Sequence, residues 1–251
     1  MTDWIIPIVT SLISVGGAIV SVLFGRRAAF QERLHAAEQI ATRFREPLLS
    51  AIFNLETRIY NIIELGFFDQ FLGGDAEPAD REYAESNTLY VFAQYFCWIE
   101  ILRRESQFID PRNDQRTADI VHGIEAVRDT FTDSRTISER CFRLFRGEQR
   151  ALGEVMLVAV PDTPTGAPRW ECMGYASFVE ALETPALERW FGRLRADIAM
   201  LTADVTGRDA RLRLIQRSLI ELIDVIDPNA RRVPMDLRKL VDLPDPAHST
   251  S

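Results

Sequence analysis

Apolar and polar positions recur along most of this chain with helical periodicity, but one stretch has no polar side. From Trp4 to Gly25, WIIPIVTSLISVGGAIVSVLFG, no residue carries a charge. A helix of about 20 apolar residues matches a hydrocarbon core of ~30 Å and satisfies its own backbone polar groups in lipid. The pattern predicts one amino-terminal transmembrane helix within residues 1–27. Asp3 precedes the run, and Arg26, Arg27 and Arg33 follow it. Those flanks are inverted for a secretory signal. By the positive-inside rule they place the carboxyl-terminal body in the cytoplasm, as a single-pass protein of the cell membrane. Within the run Thr10, Ser14, Gly17, Ala18 and Ser21 recur three or four apart. They form a small-residue face on which two membrane helices pack closely, so a homo-oligomer is one expectation.

The remaining pattern predicts a mainly α-helical body over residues 28–226. Phe30, Leu34, Ala37, Ala41, Phe44, Leu48, Ala51, Leu55, Ile62 and Leu65 make a 4-3 seam broken at Arg58, with a second stripe through Ile40, Leu49, Ile52, Phe53, Ile59 and Ile63. Pro47 should kink that helix or restart it near Glu46. Leu89–Leu102, LYVFAQYFCWIEIL, is apolar all round except for Gln94 and Glu100. It is too short for a second span and reads as a buried central helix. Thr117–Phe131 follows as a helix with Ile120, Ile124 and Val127 inward. A further helix is expected from Ser138 to about Val155, with Cys141, Leu144, Phe145, Leu152 and Val155 on its inner face.

The β-branched run Val155–Val160, the loop PDTPTGAP and the run RWECMGY predict a small β-hairpin at about 155–174. Helices over Phe178–Leu182, Leu187–Leu201 and Arg208–Ile226 complete the body. Residues 227–251 hold Pro234, Pro244 and Pro246 and read as a flexible tail, in which Leu237, Leu240, Val241 and Leu243 offer a short docking helix.

Composition is that of a folded protein, 47% hydrophobic and 26% charged, and the net charge is -8. An acidic body repels nucleic acid and anionic lipid outside local basic patches. Only Lys239 among the 29 basic residues is a lysine, a bias of base composition. Cys97, Cys141 and Cys172 are widely spaced, without a C-x-x-C, and read as reduced cytoplasmic thiols.

Chemistry is sparse in the sequence. Phosphate-binding loops, a nucleophile elbow and an H-E-x-x-H helix are missing from it, and no catalytic residue or cofactor site is assigned. Glu32 with His35 and Asp119 with His122 repeat the Glu-x-x-His spacing of di-iron bundles, for which Glu100 and Glu148 would be the further carboxylates. His122 itself reads as a partly buried helix residue. Arg143, Arg146 and Arg150 form a basic stripe able to grip phosphate, carboxylate or an acidic partner helix. Glu148 projects into the apolar face of the same helix, where a buried structural carboxylate needs an arginine partner from another helix. The resulting expectation is a membrane-anchored, non-enzymatic interaction or sensory module with an unidentified protein partner. The alternatives are an effector that assembles through its transmembrane helix in a stress or defence response and, more remotely, a helical metalloenzyme.

Overall fold

A computed structural model describes residues 44–105, 115–134, 140–161, 168–203 and 208–243. The transmembrane run, with Thr10, Ser14, Gly17, Ala18 and Ser21, lies outside them, as do Glu32 and His35. The described body is a helical bundle carrying one antiparallel hairpin. No helix among the described residues is long and apolar enough to cross a membrane.

Helix α1 covers residues 44–64 and passes through Pro47. Its seam is buried at Phe44, Leu48, Ala51, Leu55 and Ile62 but stops short of Leu65, which lies past the end of the helix and is exposed. Ile59 carries the stripe past Arg58. Gly66, at a φ of 62°, turns the chain into the short helix α2, Phe67–Leu72. That left-handed conformation carries a steric penalty for any residue with a Cβ. Arg81 then ties down the turn after α2, donating to the carbonyls of Leu72, Gly73, Gly74 and Ala76.

Helix α3, Pro78–Glu105, is the centre of the bundle. Leu89, Val91, Phe92, Ala93, Tyr95, Phe96, Cys97 and Ile101 are all buried, as an all-round apolar helix must be. α3 touches α2, strand β2 and helices α5, α6 and α7. The remaining elements are α4 (Gln115–Thr132), α5 (Arg146–Glu154), β1 (Leu157–Pro161), β2 (Pro168–Cys172), α6 (Tyr175–Ala181), α7 (Pro185–Ala203) and α8 (Ala210–Ile226). The hairpin pairs Leu157 with Cys172 and Ala159 with Trp170. α4 lies along α8, with Gly123 facing Leu222, whose flexible Cδ1 would stand 2.8 Å from an added Cβ.

Two sequence expectations change. The helix expected from Ser138 begins at Arg146 instead. Cys141 and Phe142 form a turn before it, and Phe142 takes a φ of 56°. Its amide donates to Asp197 Oδ2 at 2.9 Å, and its ring stacks on Phe92, contacts that offset the left-handed strain. The second change concerns the tail. Residues 227–243 lie against the body with Val233 and Val241 buried, and a single 3-10 turn, Met235–Leu237, replaces the docking helix. Leu237, Leu240 and Leu243 are exposed.

Candidate functional site

Because α5 starts at Arg146, the three arginines do not form one helical stripe. Arg143 sits in the loop before the helix, its guanidinium 5.2 Å from the Phe145 ring. Arg146 is held by two carboxylates of α4, Glu125 at 2.8 Å and Asp129 at 2.5 Å. Arg150 pairs with Glu154 one turn along α5, at 2.8 Å. An anion reaching Arg146 competes with both carboxylates, whereas Arg150 is half-exposed and, among the described residues, paired only through its Nε. Phe145, expected on the inner face, is instead 50% exposed, and the Arg193 guanidinium of α7 stands 5.9 Å from the same ring.

Glu148 is half-buried and sits at the third position of α5. It lies outside the core, because Cys141, Leu144 and Phe145 belong to the turn and loop before α5 and do not extend its apolar face. Its Oε2 accepts the Phe145 amide at 2.7 Å, and its Oε1 pairs with Arg193 Nη1 at 3.1 Å. The arginine from another helix is present, and the carboxylate works as a helix cap. Only this half of a capping box forms, since phenylalanine has no side-chain acceptor. The buried polar residue of α5 is its neighbour Gln149. Its amide donates to the carbonyls of Arg128 and Leu144 and accepts from Arg128 Nε. Together Arg128, Gln149, Arg146 and Glu148 lock α4, α5 and α7 around the exposed Phe145.

His122 is exposed, and Asp119 accepts from Gln115. Glu100 is taken up by Arg103 and Arg104, with nitrogens at 2.6–2.8 Å. Burial alone would raise the Glu100 pKa, yet the two arginines outweigh it and hold it below the usual carboxylate range. Among the described residues no group of three or more His, Cys, Asp or Glu side chains could hold a metal ion.

Three polar constellations were missed in the sequence. Glu56 of α1 is buried beside Gln216 of α8, whose Nε2 donates to Glu56 Oε1 and to the Lys239 carbonyl, both at 2.7 Å. The Gln216 carbonyl oxygen accepts the Val241 amide, so one side chain grips the returning tail from both sides. Burial pushes the Glu56 pKa up to about 7, against weaker lowering by Gln216 and Thr57. The spacing held a signal, for Glu56 falls four residues after Ile52 and three before Ile59, on the second apolar stripe.

The second constellation clasps the tail at α8's end. Asp227 accepts the amides of Arg231, Arg232 and Val233, and Arg238 reaches Asp227, Asp224 and the Val233 carbonyl. The third sets Cys97 of α3 beside Cys172 of β2, both free thiols at the contact of helix and strand. No periodicity pairs a helix with a strand 75 residues later. A polar groove of about 610 Å³ also lies between the ends of α4 and α8, lined by Asp129, Thr132, Asp133, Arg217 and Ser218 among others.

No family model, curated protein or solved structure matches the chain.

Proposed function

We propose that the chain is a membrane-tethered, non-enzymatic interaction or sensory module, held at the bilayer by one helix within residues 4–25, with its helical body on the cytoplasmic side. The observation that carries this reading is the uncharged run itself, with Asp3 before it and Arg26, Arg27 and Arg33 after it. Its length suits one span, and basic residues are retained on the cytoplasmic flank. On the body, support for partner binding comes from Phe145. A half-exposed aromatic ring flanked by the guanidiniums of Arg143 and Arg193 has the aromatic and arginine composition that carries most energy at protein contacts.

Membrane fractionation of the full chain beside a chain starting at Ala28 tests the tether. The full chain is expected to resist high salt and alkaline carbonate, while the shortened chain stays in the supernatant. Release of the full chain by either wash overturns the reading.

The small-residue face of Thr10, Ser14, Gly17, Ala18 and Ser21 favours a second reading, an effector that assembles in the membrane. Light scattering in mild detergent separates the two. Association of the full chain alone, abolished by replacing Thr10–Ser21 with leucines, supports the effector; monomers throughout support the tether.

A further inference from the structure

We infer that Cys97 and Cys172 form a redox-responsive thiol pair, in which a hydroperoxide oxidises Cys172 and Cys97 closes a reversible disulfide between α3 and the hairpin. The placement follows from two periodicities that meet at this contact. On α3, Tyr90, Cys97 and Arg104 are seven residues apart and so lie close to one line along the helix. On β2, Trp170 and Cys172 are two apart and share one face of the strand. Tyr90 donates through its hydroxyl to the Met173 carbonyl at 3.1 Å, and the Arg104 guanidinium lies 4.7 Å from the Trp170 ring. These contacts fix the helix against the strand on both sides of the cysteines and set Cys97 and Cys172, both free thiols, on the two sides of the α3–β2 contact.

The two thiols differ in access, and that difference assigns the order of events. Cys97 is fully buried, whereas Cys172 is half-buried at the strand's end. The neighbouring Cys172 side chain, and then burial, hold the Cys97 proton on well above the usual thiol range. Cys172 is therefore the sulfur a small oxidant meets. Its thiolate attacks a peroxide oxygen, an S–O bond forms and the O–O bond breaks. The departing hydroxide takes up a proton as water, leaving a sulfenic acid. Cys97 sulfur then attacks Cys172 sulfur, the S–S bond forms, the S–O bond breaks, and hydroxide leaves with the Cys97 proton as a second water. Two thiols have lost two electrons and hydrogen peroxide has gained them. Cys141, buried with its thiol on the Asp197 carbonyl, takes no part. Pairs of this kind in a reducing compartment act transiently, as sensors, rather than as permanent staples. The bridge would pin the hairpin to the central helix and restrict it while oxidant persists.

The test uses the full chain in mild detergent, treated with stoichiometric hydrogen peroxide, unfolded in an alkylating agent and digested for mass spectrometry. The expected product is a peptide linking Cys97 to Cys172, lighter by two hydrogens than the separate thiols and reversed by dithiothreitol, with Cys141 alkylated. A rise in the thermal unfolding midpoint, reversed by the same reductant, should accompany it. Cys97→Ser should leave a dimedone-reactive sulfenic acid on Cys172 and no midpoint rise. Cys172→Ser, a change at the partly open position, should leave Cys97 unmodified. Three results would overturn the inference: dimedone labelling of Cys172 in the wild type without a linked peptide, recovery of both cysteines as free thiols, or a bridge through Cys141.

Discussion

Glu56 shows how one buried residue can set the pH response of the whole body. Its pKa is raised from 4.5 to about 7 by burial, so between those values the folded state holds a proton that the unfolded chain has released. The stability this contributes is fully present below about pH 4.5 and is lost as pH rises through about 7, with a slope of at most about 1.4 kcal/mol per pH unit. Glu56→Gln is expected to flatten that slope and to stabilise the protein above neutrality, as read by urea unfolding across a pH series. An unchanged profile in the variant would remove Glu56 as the cause. Asp227 acts with the opposite sign. Burial alone would raise its pKa, but three backbone amides and Arg238 outweigh that and hold it down. Its contribution is present above the unfolded-state carboxylate range and is lost as pH falls through its depressed folded value. Both residues were readable only as polar positions beside apolar ones. The chemistry came from Gln216 and Arg238, 160 residues away in the first case and 11 in the second.

At the level of elements, α5 depends on two details of its fit. Gly153 stands so close to α3 that an added Cβ would meet the Phe96 carbonyl oxygen at 2.5 Å and Glu100 Cβ at 3.1 Å. Backbone cannot give way as a side-chain tip can, so Gly153→Ala should cost roughly 1–3 kcal/mol of unfolding free energy. Gly123→Ala is the control. Its clash is with the movable Leu222 Cδ1, and alanine's better helix propensity recovers up to ~1 kcal/mol, so the net change should be small. The second detail is the Glu148 cap. Glu148→Ala should cost about 1 kcal/mol of unfolding free energy, read from denaturant unfolding, and Glu148→Gln, which keeps an acceptor for the Phe145 amide, distinctly less. Equal losses in the two variants would assign the effect to the ion pair with Arg193 instead of the cap.

On the scale of the whole molecule, the carboxyl-terminal segment closes the bundle that α1 and α8 begin. Gln216 joins α8 to α1 through Glu56 and to the tail through Lys239 and Val241, while Arg238 fastens the tail to the end of α8. Removing the Arg238 guanidinium leaves Asp227 buried and short of its cation. Arg238→Ala should therefore cost on the order of 3–5 kcal/mol and open residues 234–243 to limited proteolysis. Retained protection of that segment would show that Val233 and Val241 dock it by themselves.

By itself the sequence determined what depends on near neighbours along the chain. Helical spacing found the core face of α1, an all-round apolar run marked α3 as buried, and β-branched runs around a proline-glycine loop found the hairpin, because burial repeats with the period of the backbone. Tertiary structure decided where those regularities stop. Cys141–Phe145 has helical spacing but is turn and loop, since Asp197 captures the Phe142 amide and the Phe142 ring gains its place on Phe92. That choice moved Glu148 from the core to a cap and dispersed the Arg143, Arg146 and Arg150 stripe. The docking of the tail and the meeting of Cys97 with Cys172 were decided in the same way. Such contacts join residues that the chain keeps far apart, and periodicity carries no information about which distant elements will meet.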